Sequence, residues 1–199
     1  MKNSVLKSIF LVLGLILVGN LAGCQTPPPA VSFPQITFSH MTPLTLSAAI
    51  VEVQNRYSSP MADPNVEHRM PVSPEKALRR WSADRLKAGG QPGTVRVIIG
   101  DASVKGEALT RTPGIKGIFT TEQAARYTAS IEASVELLDE RGGRRAVAQS
   151  RVRRSVTTPE NASLNDRDKI WFKLLEDLMK DFNAEMERNI RQYMGGYLL

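Results

Sequence analysis

One cysteine, Cys24, is all the thiol this 199-residue chain contains, so no internal disulfide can form. Histidine is nearly as scarce. His40 and His68 both stand in proline-rich irregular stretches, and His68 in Asn65-Val66-Glu67-His68-Arg69 reads as a surface loop residue. No HExxH, cysteine pair or other zinc spacing occurs, which excludes a metal site of any recognisable pattern. The chain also lacks G-x-S-x-G and a P-loop, because Lys105-Gly106 follows Gly100 at the wrong spacing. The material for a catalytic constellation is missing. The expectation is a non-enzyme with no cofactor and no metal. A strong excess of one charge is also missing: the formal net charge is +6, and along most of the chain basic residues are interleaved with acidic ones. With no recognition motif beside them, this excludes nucleic acid as a partner. Apolar content of 42% and charged content of 23% exclude disorder throughout and leave room for one ordinary domain.

What is present begins at the N-terminus. Lys2 and Lys7 form a short positive region, and Ile9 to Val18 is an uncharged apolar run broken only by Gly14. Small residues Ala22 and Gly23 precede Cys24. This is the layout of an export signal, and the run is short for a membrane span. Leu21-Ala22-Gly23-Cys24 closely resembles the lipobox of bacterial lipoproteins. The resemblance implies cleavage between Gly23 and Cys24, with a diacylglyceryl group on the Cys24 thiol and an acyl chain, such as palmitate, on the freed amine. Two or three buried chains suffice for stable anchoring. In the Gram-negative members of this family an Asp after the cysteine favours the inner membrane. Gln25 therefore implies the outer membrane, facing the periplasm. A Gram-positive source would place the protein on the outer face of its cytoplasmic membrane.

Gln25 to Pro43 holds Pro27, Pro28, Pro29, Pro34 and Pro43, a density that favours an extended, semi-rigid tether. Ile36 to Phe38 is an apolar patch within it. The expected division is therefore a signal peptide at 1–23, a lipidated cysteine and tether at 24–43, and one domain at 44–199. Leu44 to Val53 reads as the first strand, and Tyr57 to Pro74 as a long proline-punctuated loop. Ser73-Pro74 opens a helix with a hydroxyl cap and proline at its first position, and Gly89-Gly90 closes it. Thr94 to Leu109 reads as a second strand.

Arg126 to Leu138 alternates cleanly: Tyr127, Ala129, Ile131, Ala133, Val135 and Leu137 share one face. Arg145 to Val156 returns after a turn at Asp139 to Gly143. If Asp139 faces Arg144, Ile131 meets Val152, Val135 meets Ala148 and Glu132 meets Arg151. Ser163 to Asp166 resembles a capping box with Asp in place of Glu. From there to Met194 runs a long helix with Ile170, Trp171, Leu174, Leu175, Leu178, Phe182, Met186, Ile190 and Tyr193 on its apolar stripe. The expected fold is α+β, a two-layer sandwich of order β-α-β-β-β-α. An antiparallel-rich four-stranded sheet carries both helices on one face.

Two features rise above the background. Thr110 to Thr121 is a glycine-containing loop with apolar Ile115, Ile118 and Phe119, which either bind a partner or pack into the core. Arg144, Arg145, Arg151, Arg153 and Arg154 form a basic cluster, read as a solvated face paired with Glu132 and Glu136, against a phosphate- or lipid A-binding patch. Anchor, tether and element order together are similar to the lipopolysaccharide-assembly lipoprotein and to auxiliary lipoproteins of ABC-type lipid transport. That resemblance implies a non-enzymatic accessory component of the cell envelope with a protein partner. Two alternatives stay open: a periplasmic small-ligand or lipid-binding module using the space between helices and sheet, and an enzyme centred on His68.

Overall fold

A computed structural model of the chain describes residues 32–110 and 123–199. The strands are β1 (Leu44–Leu46), β2 (Ile50–Asn55), β3 (Leu86–Ala88), β4 (Thr94–Ala108), β5 (Gln123–Leu138) and β6 (Arg144–Pro159). The helices are α1 (Pro74–Arg85) and α2 (Leu164–Tyr193). Four strands make one sheet in the order β2-β4-β5-β6. β2 and β4 run parallel, joined by a crossover through α1, and the other pairs are antiparallel. This is the expected α+β class with its long C-terminal helix.

α1 packs on β4, and α2 on β5 and β6, so both helices cover one face of the sheet. The alternation in β5 turns Ala129, Ile131, Ala133 and Val135 toward them, and all four are buried. Trp171, Leu175, Leu178 and Phe182 of α2 fill the facing layer at 1% exposure or less. Trp81 of α1 meets Phe182 edge-on with centroids 5.0 Å apart, and Trp171 meets Tyr127 of β5 likewise at 5.0 Å. Such T-shaped pairs add to the stabilisation from burial alone.

Ser163 caps α2 as expected, its hydroxyl accepting from Asp166 N–H while the Asp166 carboxylate reaches back to Ser163. The β5–β6 register also matches expectation at Ile131–Val152, Glu132–Arg151 and Val135–Ala148. At the open end it does not: Arg144 pairs with Leu138 and not with Asp139. Asp139 instead folds the turn, its Oδ1 accepting from Arg141 N–H at 3.0 Å and Gly143 N–H at 2.8 Å. Gly142 takes the positive φ of 80° that this turn requires.

Four further expectations change. The first strand divides into β1 and β2, because β1 pairs with β3 and β2 with β4, while the partner chain carries two more residues between those registers. The bend at Ser47 to Ala49 absorbs the difference. α1 ends at Arg85, before the glycines, since Leu86 is buried and draws Leu86–Ala88 into a strand beside β1. Tyr193 leaves the stripe of α2 at 59% exposure, and the C-cap residue Met194 is buried in its place.

The fourth change is the domain boundary. The compact unit starts at Phe33 and not at Leu44. Ile36 and Phe38 are 8% and 5% exposed, so this part of the expected tether is core, lying as a strap across the helices without joining a sheet. At the other terminus Leu198 bridges to Leu46, and Leu199 N–H donates to Thr45 O at 3.0 Å, so the apolar tail covers the edge of β1.

Candidate functional site

Two buried polar constellations hold the irregular segments to this frame. The first centres on Glu67, 3% exposed, in the loop between β2 and α1. Its carboxylate accepts from Tyr57 Oη and Ser59 Oγ at 2.5 Å each, from Asn65 Nδ2 at 3.2 Å and from Val104 N–H at 3.1 Å. Burial by itself would raise the Glu67 carboxyl, but the hydrogen bonds from Ser59, Tyr57 and Val104 outweigh it and hold the group below the usual carboxylate range. Burial, the bond to Glu67 and the charge of Glu67 together push the Tyr57 phenol well above its ordinary value. Both carboxylate oxygens are occupied by the protein's own donors. Glu67 therefore has no acceptor left for a reacting group, and its work is to dock the loop on β4. Val66 N–H to Val104 O and Gly106 N–H to Pro64 O, both 2.8 Å, extend that docking along the strand.

The second constellation latches the strap to the helices. Asp84 of α1 accepts from Thr37 Oγ1 at 2.7 Å and Phe38 N–H at 2.8 Å. Burial raises the Asp84 carboxyl, and these bonds with the Arg80 charge more than reverse the effect, leaving it below the ordinary range. Arg85, 1% exposed, donates to the Thr42 carbonyl, to Glu187 of α2 and to Asn183 Oδ1, the last at 3.0 Å. Trp81 Nε1 shares the same Asn183 oxygen at 2.9 Å. A buried arginine is tolerable only with such complete pairing.

Beside the strap lies a groove of about 520 Å³ lined by Pro34, Ile36, Phe38, His40, Met41 and Phe172 among others. Its size falls in the range of small-molecule sites. It opens between strap and α2. The layer between helices and sheet is instead filled by the two tryptophans and their neighbours.

Sequence had singled out other residues. Gly23, Cys24, Ile115, Ile118 and Phe119 lie outside the described residues. His40 borders the groove and stacks near Phe38, with centroids 6.5 Å apart. His68 lies beside Arg69, whose Nε donates to its Nε2 at 3.2 Å, and its buried Nδ1 has no hydrogen-bond partner among the described residues. Among the described residues no group of three or more His, Cys, Asp or Glu is placed to hold a metal ion. The arginine cluster divides. Arg144 pairs with Glu136 at 3.1 Å and Arg151 with Glu132 at 2.6 Å, whereas Arg154 faces the helices and pairs with Asp181.

Glu67, Asp84 and Arg85 carried no local signal, since each resembles an ordinary surface charge in sequence. Asn183 did carry one: it stands between Met179 and Met186 at helical spacing, a polar residue on an apolar stripe. No protein-family model matches this chain, and no curated protein does.

Proposed function

We propose that the chain is a lipid-anchored protein of the bacterial cell envelope. Residues 1–23 export it, and diacylglycerol on Cys24 holds it at the outer membrane facing the periplasm. The domain acts as a non-enzymatic binding component in outer-membrane assembly or lipid transport. The observation that carries this reading is Leu21-Ala22-Gly23-Cys24, which ends an apolar run and contains the only cysteine of the chain. Ile115, Ile118 and Phe119 are the partner-binding residues on this reading, since apolar side chains in a turn-rich loop favour recognition over solvation.

Cys24→Ser is the direct test. The variant is expected to lose metabolic labelling by palmitate and to leave the membrane fraction. Palmitate labelling that persists without the cysteine overturns the reading. A second reading, a small-ligand or lipid-binding module, is favoured by one observation, the groove of about 520 Å³ beside the strap.

A further inference from the structure

Of the β6 arginines, Arg144 and Arg151 pair with Glu136 and Glu132 as expected, and Arg153 is left to join a different group of cations. Arg153 keeps only a hydrogen bond from its Nε to Ser130 Oγ at 3.2 Å. The sheet register brings two cations from distant parts of the chain to the same face. Arg126 lies four residues before Ser130 on β5, and Lys105 of β4 stands opposite Thr128. All three are exposed, and among the described residues none makes an ion pair. Thr128 and Ser155 stand between them, their hydroxyls 2.8 Å apart. Strand spacing of about 4.8 Å and a rise of about 3.3 Å per residue place the three backbone positions within about 14 Å of one another. Acids border the group: Glu107 stands opposite Arg126, Glu132 is two residues from Ser130 and pairs with Arg151 at 2.6 Å, and Asp101, four residues from Lys105, has its Oδ1 engaged by Ser103 N–H at 3.1 Å. Three cations without an ion pair among the described residues, with hydroxyls interposed, suit phosphate-bearing, negatively charged groups.

Where the chain enters the domain identifies which such groups are near. Tyr127, between Arg126 and Thr128, packs on Trp171. The next residue of α2, Phe172, meets Phe33 with centroids 5.2 Å apart. Phe33, the first residue of the compact unit, is thus at the end of the sheet that carries the trio. Eight residues, Gln25 to Ser32, separate it from Cys24, a reach of at most about 30 Å when fully extended.

We propose that the end of the sheet bearing Lys105, Arg126 and Arg153 docks on the anionic phospholipid headgroups of the membrane that holds Cys24. The inference rests on the lipid-anchored reading. It adds an orientation: the domain stands on the bilayer by this end, leaving the opposite end, with the Asp139 turn, for the periplasm. Such attraction is screened by salt.

The full-length protein, reconstituted into vesicles of phosphatidylcholine alone or mixed with phosphatidylglycerol, provides the test, read as acetylation of individual lysines. Lys105 is expected to react more slowly in the mixed vesicles, while exposed Lys87 of β3, outside this sheet, reacts equally in both. Arg126→Gln with Arg153→Gln should abolish the protection of Lys105 and leave the melting midpoint unchanged. Equal Lys105 reactivity in both vesicles overturns the proposal, as does protection that persists in the double variant. Equal protection by inorganic phosphate over phosphatidylcholine vesicles overturns it too, by assigning the patch to a soluble anion. Failure to float with either vesicle counts against the anchor, and this inference falls with it. Flotation without Lys105 protection overturns the docking alone.

Discussion

Glu67 shows how much of this domain depends on single polar side chains. Four donors converge on one buried carboxylate, and a neutral amide cannot reproduce that, because its nitrogen would face a donor. Glu67→Gln is expected to cost roughly 1–3 kcal/mol, the penalty of leaving buried donors unmatched, and to lower the melting midpoint accordingly. Glu67 and Asp84 also set a pH dependence. Both carboxyls bind protons more weakly in the fold than in the unfolded chain, where values near about 4 apply. Their stabilisation is therefore complete above the unfolded values and is lost as pH falls through the lower folded ones. Denaturant midpoints measured from neutral to acid pH should decline below about pH 4–5, and the decline should be shallower in the Glu67→Gln variant. An equal decline in both would show that other groups govern acid unfolding.

Among the elements, the strap has the greatest consequence for how the domain is delimited. Ile36 and Phe38 are buried, and Asp84 and Arg85 hold the backbone of the same segment. A fragment beginning at Leu44 loses two apolar side chains worth roughly 1.5–3 kcal/mol each. It also leaves Arg85 without the Thr42 carbonyl. Such a fragment is expected to melt far below one beginning at Phe33, as followed by circular dichroism. Equal midpoints would show that the strap is dispensable. The edge of β6 is treated differently: Glu185 accepts from Arg151 N–H at 3.3 Å, and Asn189 donates to Gln149 O at 2.6 Å. Side chains of α2 thereby cover backbone groups that would otherwise recruit another strand.

At the scale of the whole molecule, one helical layer rests on one sheet face, and apolar packing with two polar latches holds it together. Neither a disulfide nor a recognisable metal site enters that account. Melting of the purified protein is expected to be unchanged by chelator and by reductant. A large loss of stability with either would require a site that this account omits.

The amino-acid sequence was enough for the features whose cause is local. The alternation of β5 and its pairing with β6, the Ser163 cap, the stripe of α2 and the four strands of the main sheet were all legible, because period and cap chemistry act over a few residues. The proposed lipid anchor is likewise a contiguous pattern. Features that depend on distant partners were not legible. Prolines near Ile36 signalled a tether, yet burial against α1 and α2 made the segment core. Leu86 to Ala88 looked helical until β1 offered it a strand partner. Glu67, Asp84 and Arg85 were surface charges by composition, and of the five β6 arginines Arg154 turned to the helices, where it pairs with Asp181. Cross-strand register brought Lys105, Arg126 and Arg153 to one face of the sheet, because side-chain neighbours in a sheet are chosen by pairing across strands and not by order along the chain.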